Sequence, residues 1–577
     1  MENAGKPEKR IVAKGGASLA DIDRIVERKR KWQEKNEIGV SSKSPPIKTD
    51  LGIEVDAVYT PADIRDEDYL KDLGFPGEYP FTRGPYPEMS RHKPWRYSVF
   101  TGFDTPEETN KRWKFLYEAG QPSFSIVYDL PSHMGFDPDD TIGEVEVGKV
   151  GIPICNVDDI ETLFKDLPMG KYPFYGNMET LAAMIVAMYI AAGKKRGIAE
   201  ADLPGSISND PLTTTASKST VVFPVRHSFR LACDLIEYAC KNMPRFYPLQ
   251  VKGVNIAEGG CSIAQEAGFV LSNACCYIDE CLRRGVDIDN VAPKITAFFA
   301  TTPHLFEEVA KYRAFRRIWA RLMKEKYEAK TNSAMAFKFT AIACPLWLQF
   351  EEPELNLVRA AIMGLAEALG GAQATPHPGH DEVFAIPTER SQNLALGTQQ
   401  ILAEETNITK TVDPLGGSYY VEWLTDQMEK KIIEVMNDVE AHGGALNALE
   451  SGYTKSEIMN FYARVDKEIE SGQRVIVRRN KYRVTEEKDP REMLILHTPN
   501  EEAVKRYVEG VKRLKRERDN SQVESCLVRL EEAAKGEDNL MPYLIESAEA
   551  YATLGEMTKA LKKVFGEFKA PAIIPVI

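Results

Sequence analysis

The chain has 577 residues, 43% of them hydrophobic and 28% charged, with 39 Gly and 34 Pro. That composition excludes a disordered or fibrous chain, and the length fits two or three domains or one barrel with long appendages. Lys and Arg number 73 against 86 Asp and Glu, a net charge of −13, and a field of that sign repels nucleic-acid phosphates unless a basic groove is built locally. The longest apolar run, Leu181–Ala192, is shorter than the ~20 residues of a membrane span. Residues 1–14 carry no apolar stretch of the signal-peptide kind, so a cytoplasmic protein is expected. Nine cysteines, an odd number without CxxC and with Cys275 beside Cys276, fit reduced thiols better than a disulfide or zinc framework.

In chain order, residues 1–78 read as an arm: a charged helix over Asp21–Asn36, then a loop through Ser41-Ser42-Lys43-Ser44-Pro45-Pro46. From Tyr79 to residue 425 short strands alternate with amphipathic helices. Strands are expected at Phe124–Asp129, Gly205–Asp210, Val251–Glu258, Lys294–Ala300 and Ala334–Ala341. Thr105 caps a helix with Pro106, Glu107 and Glu108 in its first turn, and Gly120 stops it. Further helices span Met178–Ala192 and Ile263–Arg284. This alternation favours a parallel α/β architecture, and a (β/α)8 barrel fits its length. Ser206, Ser208, Thr296, Ala334, Ala336 and Thr340 are small or hydroxylated where barrel interiors usually carry Val, Ile and Leu. Either the bore is a wettable passage or the core is merely varied. Residues 426–577 form a helical appendage, with helices over Glu422–Glu450, Lys455–Ser471 and Glu501–Glu567.

No P-loop, GxGxxG after a strand, HExxH, GxSxG or Cys/His set with metal spacing is present, and no metal site is expected. His377 and His380 sit close together in TPHPGHDE, which reads more readily as loop chemistry than as a ligand pair. Spacing alone names no reaction.

Four ordered stretches do. YPFTRGPY (Tyr79–Tyr86) is followed by KPW (Lys93–Trp95) and GFDTPEETN (Gly102–Asn110). FSIVYDLPSHMGFD spans Phe124–Asp137, DEVFAIPTERSQNLALGTQ spans Asp381–Gln399, and TVDPLGGSYYVEWLT spans Thr411–Thr425. Together they resemble the large subunit of adenosylcobalamin-dependent acyl-CoA mutases, over about residues 50–565. The resemblance implies a (β/α)8 barrel threaded by coenzyme A, with adenosylcobalamin at one end and a radical carbon-skeleton rearrangement as the reaction. The family's corrinoid domain carries a DxHxxG motif, and no DxH occurs here. The resemblance therefore implies a separate small cobalamin-binding subunit with that motif, in a heterotetramer that the N-terminal arm helps to hold.

Carried over by motif, Glu258 and Glu382 are implied to contact the adenosyl group. Arg83 and Ser125 stand at coenzyme- or thioester-contacting positions, and Gln373 at a retained pocket glutamine. Lys294 and Thr296 replace an Arg and a Ser that hold the phosphate end of the coenzyme, Lys serving as a point charge without the bidentate fork. Around the acyl group the chain departs from the family: Ser90, Val254 and Ser208 replace Tyr, Tyr and Gln, Asn255 replaces the thioester-binding His, and Thr340 and Ile342 replace His and Gln. Lys218 stands for a carboxylate-binding Arg or is a solvent-facing loop lysine, and Tyr128 replaces Phe. The net loss of bulk implies an acyl group larger than that of methylmalonyl-CoA, and Lys218 allows it a second carboxylate. Asn255 donates an amide hydrogen to a carbonyl but cannot become cationic. The other reading is a catalytically silent subunit that supports an active partner; the retained Glu258 and Glu382 argue against it.

Overall fold

The structure is a computed structural model, and it describes residues 19–35, 47–64, 68–121, 123–141, 145–218, 220–483, 489 and 494–569. The loop expected at Ser41–Pro46 and the end of the first helix at Asn36 lie outside them. The expected helix runs Leu19–Lys35.

Eight parallel strands close into a (β/α)8 barrel. They are Arg96–Ser98, Phe124–Val127, Phe174–Asn177, Gly205–Ile207, Phe246–Val251 (interrupted at Pro248), Ile295–Thr301, Phe339–Ala343 and Ala374–Pro376. Pairing runs first to eighth, seventh, sixth and fifth strand on one side, and second to third, fourth and fifth on the other. A parallel bridge from Thr101 to Ile126 closes the ring. Pro248 has no amide to donate, and past it the ring is carried by Gln250 N–H donating to the Ser208 carbonyl at 3.1 Å.

Two expected strands are corrected. Val251–Glu258 ends its pairing at Val251 and continues as a helix, Gly253–Glu258. The Lys252 amide leaves the sheet for Asp210 Oδ2 at 2.9 Å, so the chain turns inward there; a short alternating run cannot reveal such a turn. Ala334–Ala341 begins as one helical turn, Asn332–Met335, capped by the Thr331 hydroxyl, and the strand starts at Phe339. Ala334 and Ala336 consequently pack in an outer apolar cluster instead of lining the bore. The Thr105 cap forms as expected, its Oγ1 accepting the Glu108 amide at 3.3 Å, on a helix Pro106–Glu118.

The core lies between strands and helices in two main clusters. Ala182–Lys195 is apolar all round and is covered outside by Met541–Glu549 and Leu554–Phe565, which share its cluster with Trp113, Phe124 and Phe174. The stretch expected as Glu501–Glu567 is four helices. Buried Asp137 pins this layer, accepting Thr553 Oγ1 at 2.6 Å and the Gly555 amide at 2.8 Å, with Lys515 Nζ at 3.0 Å. On the other side Tyr419–Ala441 packs against Ile263–Arg283 and Leu305–Arg321. Arg313 is buried there between Asp413 and Glu422. The N-terminal segment lies over this side: the Tyr59 ring packs at a tilt against Tyr420 and Trp423, and Lys29 pairs with Asp56 and Asp63. Among the described residues no helix is long and apolar enough to cross a membrane.

Candidate active site

Strand alternation sends one set of side chains into the bore. On the second strand Phe124 and Ile126 face the helices, so Ser125 faces inward, paired in register with Tyr175. Around the N-terminal ends of the strands, Arg96, Tyr175, Ser206, Tyr247, Gln250, Thr296, Thr340 and Ala374 enclose a cavity of about 160 Å³. The wall is therefore hydroxylated on one side, as expected for Ser206, Thr296 and Thr340. The other side is aromatic: the Arg96 guanidinium lies 3.8 Å over the Tyr175 ring. Gln250 Nε2 reaches Thr340 Oγ1 at 3.4 Å and Thr296 Oγ1 donates to the Leu249 carbonyl at 3.3 Å.

This cavity adjoins an open groove of about 770 Å³ that shares Tyr86, Arg96, Tyr175 and Gln373 with it and adds Ser90, exposed Lys93 and exposed Lys171. Ser90 and Gln373 thus sit at the N-terminal end of the barrel. Gln373 is engaged with backbone, its Oε1 accepting the Phe339 amide at 2.8 Å and its Nε2 donating to Gly371 at 2.7 Å. Lys294 lies on the same end, its ammonium on the carbonyls of Met243 and Phe246 at 3.0 Å and on that of Pro244. Arg83 lines neither opening. It bonds Asp413 at 3.1 Å, Tyr69 Oη at 3.3 Å and the Val412 carbonyl at 3.4 Å.

The opposite, C-terminal mouth gathers the ionisable groups. Asn255 Nδ2 is 3.4 Å from Glu179 Oε1, and Lys218 Nζ reaches the same oxygen at 3.4 Å. His133 Nδ1 is 3.6 Å from Glu179 Oε2. Lys252, only 4% exposed, donates to Asn177 Oδ1 at 2.8 Å and lies 4.2 Å from the centre of the Phe298 ring. Burial pushes the Glu179 carboxyl up, but Lys218, His133 and Lys252 together outweigh it and hold it at about 2. Burial pulls Lys252 down to about 7, against the opposing pull of Glu179. His133 falls to about 4, again through burial. At neutral pH the cluster is one carboxylate facing two lysines and a neutral imidazole.

Glu258 ends the short helix that carries Asn255 and is exposed at this mouth. Half-buried Glu382 is pushed up to about 8 by burial and by the neighbouring charge of Glu258. Two carboxyls so placed can hydrogen-bond the hydroxyls of a ribose, Glu382 as a protonated acid that also donates, which fits the adenosyl group implied by the sequence. Tyr128 closes the second strand. Its ring lies edge-on to His133, centroids 6.2 Å apart, and its buried hydroxyl finds no hydrogen-bond partner among the described residues. Gly176 packs under it: a Cβ there would stand 3.0 Å from that hydroxyl, which would have to give by a few tenths of an ångström.

Of the residues singled out from sequence, the fold therefore brings Asn255, Lys218, Glu258 and Glu382 to one mouth with Tyr128 beside them. Ser90, Gln373, Lys294 and Thr296 lie at the other end, with Ser125 on the inner wall. Sequence reasoning missed Glu179, Lys252, His133 and Asn177. The only signal for Lys252 was its position two residues beyond Gln250 on the same face. His133 and Glu179 follow strand ends, where barrel sites are built.

The methylmalonyl-CoA mutase family model matches residues 48–567. The large subunit of 2-hydroxyisobutanoyl-CoA mutase from Aquincola tertiaricarbonis is 38% identical over 94% of this chain and 96% of its own length. Human mitochondrial methylmalonyl-CoA mutase is 35% identical over 90% of this chain and 69% of its own, and the Rhizobium meliloti methylmalonyl-CoA mutase 34% identical over 93% and 75%. With its barrel, its hydroxylated bore and its charged mouth, the chain belongs to the methylmalonyl-CoA mutase family of acyl-CoA isomerases.

Proposed function

We propose that this chain is the catalytic large subunit of a cytoplasmic, adenosylcobalamin-dependent mutase that moves the thioester carbonyl group between adjacent carbons of an acyl-CoA. The acyl group is bulkier than that of methylmalonyl-CoA and bears a second carboxylate. The corrinoid is carried by a separate small subunit with a DxHxxG motif, in a heterotetramer. The observation that carries the reading is the pairing of two unlike barrel ends. A basic, open groove with Lys93, Lys171 and Arg96 leads into a hydroxylated bore, and a mouth with buried charges lies at the far end of the strands. A coenzyme A thioester has that distribution: phosphates, a thin polar tail, then a reactive acyl group.

When bound, adenosylcobalamin supplies a carbon radical by homolysis of its cobalt–carbon bond. The chain's own residues bind, orient and exclude water. Glu258 and Glu382 would hold the ribose hydroxyls. Lys93 and Lys171 attract the coenzyme's phosphates, and Lys294, on the same barrel end, adds positive charge there. Lys218, with a side chain 34% exposed and paired among the described residues with Glu179 alone, keeps donors for a substrate carboxylate. Asn255 and Tyr128 offer neutral donors beside it.

The test is turnover. The purified chain is mixed with a competent corrinoid-carrying subunit and adenosylcobalamin, and a panel of linear and branched mono- and dicarboxylic acyl-CoAs is analysed by mass spectrometry for isomerised product. A branched dicarboxylic acyl-CoA is expected to turn over fastest. Acyl-CoA binding without any isomer across the panel would establish the supporting, silent subunit instead.

A further inference from the structure

Lys252 is the least economical residue of the mouth. It is the first residue past the fifth strand, two beyond Gln250, which lines the bore. Its neighbours in the same layer are Asn177 from the third strand and Phe298 from the sixth, at 2.8 Å and 4.2 Å. Burying an ammonium is costly unless its donors are satisfied. Here three donors meet one side-chain acceptor among the described residues, the Asn177 amide oxygen, while the Phe298 ring face covers the cation without accepting a full hydrogen bond. Glu179, the carboxylate at the centre of the cluster, is bonded to Lys218 and Asn255 instead. A buried lysine amine with spare donors, held by a neutral amide one layer beyond Gln250, suits an oxygen acceptor that arrives through the bore.

We infer that Lys252 Nζ, positioned by Asn177, donates to the thioester carbonyl oxygen of the bound acyl-CoA, the task left weak by Asn255. This rests on the proposed function, because it is the acyl-CoA reading that puts a thioester at that layer. It assigns the two lysines different work: Lys218, partly exposed at the rim, takes the acyl group's carboxylate, and Lys252, buried, takes the carbonyl. Burial, reinforced by Lys218 and opposed by Glu179 and Glu258, leaves Lys252 partly protonated at neutral pH, and its ammonium form is a strong donor to an oxygen on which charge develops.

Isothermal titration of the full-length protein tests this with two matched pairs of ligands: butyryl-CoA against S-butyl-coenzyme A, and succinyl-CoA against S-(3-carboxypropyl)-coenzyme A. In each pair the second member replaces the carbonyl by methylene. The wild type is expected to bind each thioester at least about tenfold tighter than its thioether, the worth of a charge-assisted hydrogen bond. Lys252→Met, which keeps the volume and removes a buried charge, is expected to weaken both thioesters about ten- to a hundredfold and leave both thioethers within about twofold. Equal weakening of thioester and thioether assigns Lys252 a structural role and overturns the inference, and so does a loss confined to the two ligands with a carboxylate. A variant that fails to fold leaves the wild-type ratio to decide: thioether bound as tightly as thioester overturns it. Wild type that binds none of the four compounds instead sinks the proposed function, and this inference with it.

Discussion

Glu179→Gln tests the electrostatics of the mouth directly. The carboxylate is 1% exposed and within 3.4–3.6 Å of Lys218, Asn255 and His133. A carboxyl held at about 2 instead of 4.5 makes its ionised form worth about 3 kcal/mol to the folded state at pH 7, and Gln imitates the protonated form. The loss is slightly reduced because Lys252, already pulled to about 7, titrates lower still once Glu179 is gone. A destabilisation of about 2–3 kcal/mol corresponds to a melting point about 2–3 °C lower for a chain of this length. The folded-state pKa is depressed, so the contribution is complete above the unfolded value of 4.5 and is lost as the pH falls from there toward 2. At pH 3.5 part of it should be gone, offset in part by His133, which gains its charge at about 4 beside Glu179, so the gap between wild type and variant narrows by less than half. Differential scanning calorimetry at pH 7 and 3.5 measures both. A variant that melts with the wild type at pH 7, or a gap equal at the two pH values, refutes the reasoning.

Ser206→Phe puts a ring into the cavity of about 160 Å³ and is expected to abolish acyl-CoA binding by calorimetry at millimolar ligand; unchanged affinity would show that the coenzyme takes another route. Lys93→Glu with Lys171→Glu is expected to weaken coenzyme A binding about tenfold at 50 mM salt and much less at 0.5 M, since both lysines are exposed and screened; an effect independent of salt would argue against a phosphate contact. Tyr128→Phe deletes a buried hydroxyl with no partner among the described residues, so its melting point should equal or exceed that of wild type; a clear drop by scanning calorimetry would reveal a hydrogen bond to that hydroxyl.

The barrel was legible because its helices announce themselves: Thr105 with Pro106, and the long apolar faces of Ala182–Lys195 and Ile263–Arg283, fix the alternation. The strands were less legible. Arg96–Ser98, Phe246–Tyr247 and Ala374–Pro376 are two or three residues long, too short for any period to register. At Val251 and Ala334 the chain changes from one state to the other within a run that reads as a single element. The site divides in the same way. Asn255, Glu258 and Glu382 stood out through motifs carried by neighbouring residues. Glu179, Lys252 and Asn177 sit at separate strand ends, and only closure of the ring makes them neighbours, so no local pattern could couple them.

That closure also explains why an imidazole at position 255 would bring little more than the amide does. His133 shows what happens to an imidazole here: burial, reinforced by Lys218 and Lys252, takes it to about 4. A second imidazole at 255 would sit in the same field, 3.4 Å from the same carboxylate that Asn255 now touches, and Glu179 is already committed to Lys218. It would therefore be neutral at pH 7 and offer one N–H, as Asn255 offers an amide hydrogen. Asn255→His is accordingly expected to titrate well below the ordinary 6.5 or so of a free imidazole when followed by 13C-edited NMR of labelled histidine, and to bind butyryl-CoA within about threefold of wild type. In Asn255→His with Lys252→Met the same imidazole loses one of the two cations that depress it, and its pKa should rise. An imidazole that titrates at or above 6.5 in the single variant, or one indifferent to the loss of Lys252, would mean that the lysines do not govern the mouth, and the division of work between positions 252 and 255 would fail with them.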